Sequence, residues 1–197
     1  MELTNYMKWK PGIGDPTFMG WFTVAAYMMT ALLSAFVALH SYRLFSVADF
    51  QKQRLLWWVL AILFLLLGIN KQLDLQSLFT DIGRAISIRQ GWYSERRTFQ
   101  FWFILVLAFT SLVCLFSVGW FIRKSLKENG LVLFGLTFLL TFILVRGASF
   151  HHFDKVLNWR PMGVRVNWIL ELTGIFCIGI AAICKIYSGM AASKSFS

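Results

Sequence analysis

The sequence predicts an all-α, polytopic integral membrane protein with about five transmembrane helices and one interfacial amphipathic helix. Three observations predict it. Of the 197 residues, 58% are hydrophobic and only 14% are charged, where a soluble domain carries about 45–50% and about 25%. Five apolar runs approach the roughly 20 residues that cross a hydrocarbon core. Between the second and third, a more polar segment keeps its apolar residues at helical spacing. The same composition excludes intrinsic disorder, because no long stretch combines low hydrophobicity with high charge. Three cysteines are too few for a disulfide-stapled secreted domain.

A single transmembrane domain is expected over 1–197, with spans at about 18–41, 55–74, 101–122, 131–150 and 167–187. The first run begins late, after KWKPGIGDPT, and ends in His40-Ser41-Tyr42-Arg43, so it does not read as a cleaved signal peptide. Pro11 and Pro16 suit a helix entry, with Asp15 and Thr17 as caps. The second and fourth runs are short and continue into mixed polar residues, so their last turns should be polar. The interfacial segment, about 75–97, carries Leu75, Leu78, Phe79, Ile82 and Ile86 on one helical face and Asp74, Ser77, Asp81 and Arg84 on the other. It either prolongs the second span or bends away from it near Gly68 to Lys71. Trp92 and Tyr93 then read as interface anchors. Cys114, Cys177 and Cys184 all fall inside spans and are expected to be small, buried packing residues.

Net charge is +10, from 19 Lys and Arg against 9 Asp and Glu. The basic residues stand between apolar runs, so membrane lipids are the expected partners and nucleic acid is not. Five spans put the termini on opposite sides. The 42–54 and 123–130 loops and the C-terminus hold their Lys and Arg more densely than the other side does. Density next to spans marks the cytoplasmic face, which gives N-terminus outside and C-terminus cytoplasmic.

Helix geometry puts several ionisable residues at one depth near the outer boundary: Lys71 and Asp74, then Arg146, His151, His152 and Asp154, then Glu171. A buried charge costs at least about 2.5–3.5 kcal/mol, so these groups should pair. Arg146 with Glu171, and Lys71 with Asp74, are the simplest pairs. Such a ring is either a functional site or a device that fixes helix packing. Lys71, Arg84, Arg96, Arg97 and Arg146 are the candidate lipid or anion contacts. His151 and Asp154, three apart, are weak metal-ligand candidates that need Asp74 or Glu171 as a third donor. No H-x-x-x-H or E-x-x-H occurs, and His40 lies at the opposite end of the first span. The plainer reading of the histidines is an aromatic belt with Phe150, Phe153 and Trp159. PGIGDP has no Walker lysine, and no nucleophile elbow is present.

The stretches GINKQLDLQ (68–76), GWYSERR (91–97) and RGASFHHFD (146–154), with IGDPTFMGWFTVAAY near the start, resemble a group of uncharacterised small bacterial polytopic membrane proteins. The resemblance covers most of the chain. It implies a bacterial inner-membrane setting and transfers no activity.

Two functions fit. The first is a non-catalytic integral membrane subunit that packs with other membrane subunits in a larger, bioenergetic complex and holds lipid, pigment, quinone or a partner. High aromatic content, 17%, and short loops favour it. The alternative is a membrane-embedded, metal-dependent enzyme acting on a lipid-like substrate at the outer interface. Its catalytic candidates are His151, His152, Asp154, Asp74 and Glu171. A transporter is weaker, since no paired broken spans suggest an inverted repeat.

Overall fold

The computed structural model describes residues 12–91, 96–148 and 166–194. Among them every regular element is helical. The order is α1 (Phe18–Leu39), α2 (Ser41–Leu44), α3 (Phe50–Leu73), α4 (Leu75–Arg89), α5 (Arg96–Phe121), a 3-10 turn (Arg123–Ser125), α6 (Leu126–Ala148) and α7 (Val166–Lys194). Helices α1, α3, α5, α6 and α7 are long and apolar enough to cross a membrane. The protein is an all-α polytopic membrane protein.

Several helices outrun their apolar stretches. α3 begins at Phe50 and α6 at Leu126, about a turn before the apolar runs at 55 and 131. Gln51, Lys52 and Arg54 are exposed on that extra turn of α3. Such straight-chain residues form helix readily in water, so the helix starts before the hydrocarbon does. At the head of α1 the expected caps form. Thr17 Oγ1 accepts from the Gly20 amide at 3.1 Å, and Thr17 Oγ1 in turn donates to Asp15 Oδ1 at 2.6 Å.

Four helices make the core. α1 turns a stripe of Thr23, Tyr27, Thr30, Ala31, Ser34, Val37 and Ala38 inward, against α3 and α7. Trp57, Leu60 and Phe64 of α3 and Ile175 and Ile178 of α7 fill the space between. α6 meets α7 where Gly135 faces Gly174: a Cβ on either would stand 3.0 Å from the other's carbonyl oxygen. Only glycine lets two backbones approach that closely, and in a membrane such contact supplies the packing that water exclusion cannot. α5 stands apart. Its main neighbour is α6, and 6% of its membrane-crossing stretch is buried, against 33–39% in the other four.

Two expectations are corrected here. The chain bends after α3 at Asp74, whose φ of 47° and ψ of 46° are left-handed, not at Gly68 to Lys71. Gly68 stays helical because its bare backbone packs on Tyr27 and Met28. A short polar side chain such as Asp tolerates the left-handed region better than its apolar neighbours do. The Gly14 amide closes over the bend, donating to the Gln72 carbonyl at 2.7 Å and satisfying one of the free acceptors at the end of α3. Cys114 and Cys184 are exposed on the outside of the bundle, and Cys177 is half-buried. A thiol is a small hydrophobe, so facing acyl chains suits it as well as burial does.

A candidate ligand-binding cleft at one end of the bundle

The end of the bundle that gathers the start of α1, the α3–α4 bend, the end of α6 and the start of α7 holds most of the buried charge. Glu171 lies about 7.5 Å along α7 from its start, and Tyr27 about 13.5 Å along α1. The Lys71 ammonium donates to Glu171 Oε2 at 3.0 Å, and the Tyr27 hydroxyl donates to Glu171 Oε1 at 3.1 Å. The side chains of Lys71 and Glu171 are 6% and 1% exposed. Each ion alone would cost several kcal/mol of desolvation at that depth, so neither is tolerable without the other.

Beside this cluster opens a cleft of about 710 Å³. α4 lines it with Thr80, Gly83, Arg84 and Ser87, residues of its polar face. Its apolar wall is aromatic, with Phe79 from α4, Phe99 and Phe103 from α5 and Phe142 from α6. Tyr27, Asn70, Lys71, Gln100, Arg146 and Glu171 supply the other polar groups. Arg146 Nη2 reaches Asp74 Oδ1 at 3.8 Å, and Arg84 Nη1 reaches Asp81 Oδ1 at 3.5 Å.

Lys71, Asp74, Arg146 and Glu171 therefore do converge, but with partners exchanged relative to expectation. Lys71 takes Glu171, and Arg146 takes Asp74. The cause is the bend. Leaving the helix at Asp74 carries its carboxylate off the face it would have shared with Lys71, toward the end of α6. Lys71 is buried and lines the cleft. Arg84 and Arg146 line the cleft, about a third exposed. Arg96 and Arg97 begin α5, and their side chains, like all of His151, His152 and Asp154, lie outside the described residues. His40 sits at the far end of α1, stacked on Phe36 with ring centroids 4.1 Å apart. Among the described residues no group of three or more His, Cys, Asp or Glu is placed to hold a metal ion.

Sequence reasoning missed Tyr27, Asp81 and the second role of Asp15. Tyr27 was signalled by its register, since it is the one large side chain in the stripe Thr23, Tyr27, Thr30, Ser34. Asp15 is more than a cap. Partial burial works against its charge, but hydrogen bonds from the Thr17 side chain and backbone, with Lys71 and Arg146 nearby, hold its carboxyl below the ordinary value of 3.8.

No protein-family model matches this chain, and no curated protein or solved structure matches it either.

Proposed function

We propose that the protein is a non-catalytic integral membrane subunit that holds an amphiphile in the cleft between α3, α4, α5 and α6, within a larger membrane assembly. The supporting observation is the cleft itself, lined by four phenylalanines from three helices and by the buried Lys71, Glu171 and Tyr27 cluster. Pockets of about 300–1,000 Å³ with few, placed polar groups suit one small ligand. The outward faces of α5 (Phe101, Trp102, Phe109, Phe116 and Trp120 are all exposed) give lipids and other integral subunits a broad surface to pack on. The dense basic loops around Arg43, Lys52, Arg54, Arg123, Lys124 and Lys127 support a cytoplasmic C-terminus and an outer N-terminus.

One observation favours the enzyme reading instead. Glu171, flanked by a phenol and an ammonium and lining the cleft, is a set of groups able to pass a proton to a lipid-like substrate. A single experiment separates the two. Wild type and Gly83→Phe are purified in mild detergent from native membranes, and everything retained is identified, metal included. Gly83 lines the cleft, and a Cβ there meets nothing within 4 Å, so the helix accepts a side chain at this position and a phenyl ring is expected to obstruct the cleft. The subunit reading expects a stoichiometric amphiphile and large partners with wild type, and loss of the amphiphile from the variant. A protein that emerges alone and turns over its lipid, with turnover abolished by Glu171→Gln or by loss of a metal held through His151 or Asp154, overturns it.

A further inference from the structure

We infer that the cleft takes the phosphate head of an anionic lipid, held between Arg84 and Arg146. The inference rests on the amphiphile-holding role proposed above and names the chemistry of the head.

Charge on the lining comes first. Lys71, Arg84 and Arg146 border the cleft, and Glu171 is the one carboxylate among the described residues that line it. Lys71 and Glu171 neutralise each other at 3.0 Å, which leaves the two guanidiniums. The acids around them, Asp74, Asp81 and Asp15, are not on the lining. An occupant therefore meets the arginines before it meets those acids, and Coulomb attraction falls off with distance.

The ion pairs orient the arginines without cancelling them. Arg84 Nη1 stands 3.5 Å from Asp81 Oδ1, and Arg146 Nη2 stands 3.8 Å from Asp74 Oδ1. A charge-assisted hydrogen bond is about 2.7–2.9 Å long, so both contacts are loose. An arginine also carries five N–H donors, and pairing with one acid does not exhaust it.

Shape separates phosphate from carboxylate. Arg84 comes from α4 and Arg146 from α6, yet both border one space of about 710 Å³, a size that suits one small ligand. The two oxygens of a carboxylate are served by one guanidinium fork. A phosphate is tetrahedral and meets two forks at once. Asn70 and Gln100 border the same space, and their amide groups can donate to an oxyanion as well. A zwitterionic head would bring its ammonium against the same cations.

The lining also provides for a chain. On α6 it passes from Phe142 and Ile143 to Arg146 within about 6 Å of helix. Phe103, Ile104 and Leu107 of α5 line the cleft too. An acyl chain lies on these apolar residues while its phosphate stays with the arginine.

The test uses full-length protein in phosphatidylcholine nanodiscs doped with phosphatidylglycerol, or with diacylglycerol of the same chains. Lipid retained after transfer to mild detergent is quantified by mass spectrometry. Basic loops at the other end of the bundle attract anionic lipid as well, so wild type is compared with cleft variants. Wild type is expected to retain phosphatidylglycerol in preference to diacylglycerol. The pairs Arg84→Gln with Asp81→Asn, and Arg146→Gln with Asp74→Asn, each remove a guanidinium without stranding its acid. Asn also tolerates the left-handed backbone at position 74. Each pair should lower retention at least about fivefold while thermal unfolding stays cooperative, and if one pair fails to fold the other decides. Asp81→Asn alone should raise retention, because a competing charge is gone. A loss there as large as in the pair overturns the role of Arg84. Retention that survives both pairs places the lipid elsewhere and overturns the inference. Diacylglycerol held as well as phosphatidylglycerol overturns the anionic head and leaves the amphiphile-holding role standing. Displacement by oleate overturns the phosphate in favour of a carboxylate, and displacement by inorganic phosphate at constant ionic strength overturns the lipid as its source. Retention of neither probe above phosphatidylcholine, with no amphiphile lost from Gly83→Phe, overturns the binding role as well.

Discussion

The two ends of the bundle solve the problem of polar groups near a membrane in opposite ways. At the end opposite the cleft, Ser125 is a knot: Gln53 Nε2 and Asn129 Nδ2 each donate to its Oγ at 3.1 Å, joining α3, the 3-10 turn and α6. Lys185 of α7 reaches Glu128 of α6 at 2.7 Å and lies over the Phe45 ring at 5.2 Å. Arg123 covers the Trp120 ring at 4.0 Å. Beside Gln53 and Ser125, where α3 meets the 3-10 turn, the opening is about 10 Å³. At the cleft end there are also ion pairs, but they surround about 710 Å³ of opening. Polar groups that only fasten helices together leave no space between them. Those at the cleft end are held apart by the bend at Asp74 and by the stand-off of α5, which is the arrangement of a site.

That contrast breaks most severely at Glu171. Glu171→Ala strands the Lys71 ammonium in the core and is expected to cost about 3–5 kcal/mol, read from denaturant unfolding in detergent. Lys71→Met with Glu171→Leu should recover much of that loss, because no charge is left stranded, and adding Tyr27→Phe, which removes the hydroxyl that donates to Glu171, should bring stability back to about wild type. A double variant as unstable as Glu171→Ala would mean that the pair fastens the bundle, as the groups at the opposite end do.

At the closed end the effects are smaller. Asn129, fully buried, loses its bonds to Ser125 in Asn129→Ala, at an expected cost of about 0.5–1.5 kcal/mol. Glu128→Ala breaks the Lys185 pair, but the Glu128 carboxylate is 60% exposed. Its loss should cost no more than about 1 kcal/mol, and raised salt should shrink that difference. The smallest effect concerns Asp15. Its carboxyl titrates below 3.8 in the folded protein, so the stability it contributes is complete above that value and is lost as pH falls through the folded one. Melting temperatures of wild type and Asp15→Asn should hold a constant gap from neutral pH down to about pH 5, and converge in stronger acid.

Much of the helical plan was readable from the sequence, because hydropathy marks where a helix must avoid water. It does not mark where a helix begins inside water, so α3 and α6 start about a turn earlier than their apolar runs. Charge at one depth was readable too: the rise per residue alone brought Lys71, Arg146 and Glu171 level. Which acid meets which base was not, because that depends on how each helix is rotated and on a bend of one residue. If the segment did not simply prolong the second span, the bend was expected near Gly68 to Lys71, with Gly68 the weakest helix former there. Tertiary packing against Tyr27 and Met28 kept it helical and passed the bend to Asp74. Tyr27 stood out only by its register with Thr23, Thr30 and Ser34. Its role depends on Glu171, 144 positions away.

One consequence follows from how lightly α5 is held. A wall fastened along one seam costs least to displace, and any opening of this one would face the bilayer, not water. An occupant of the cleft would therefore arrive sideways from the lipid phase, where a greasy molecule is concentrated far above its level in the surrounding aqueous medium. Modest affinity is enough under those conditions, and the fluidity of the membrane becomes the clock that sets how long each occupant stays.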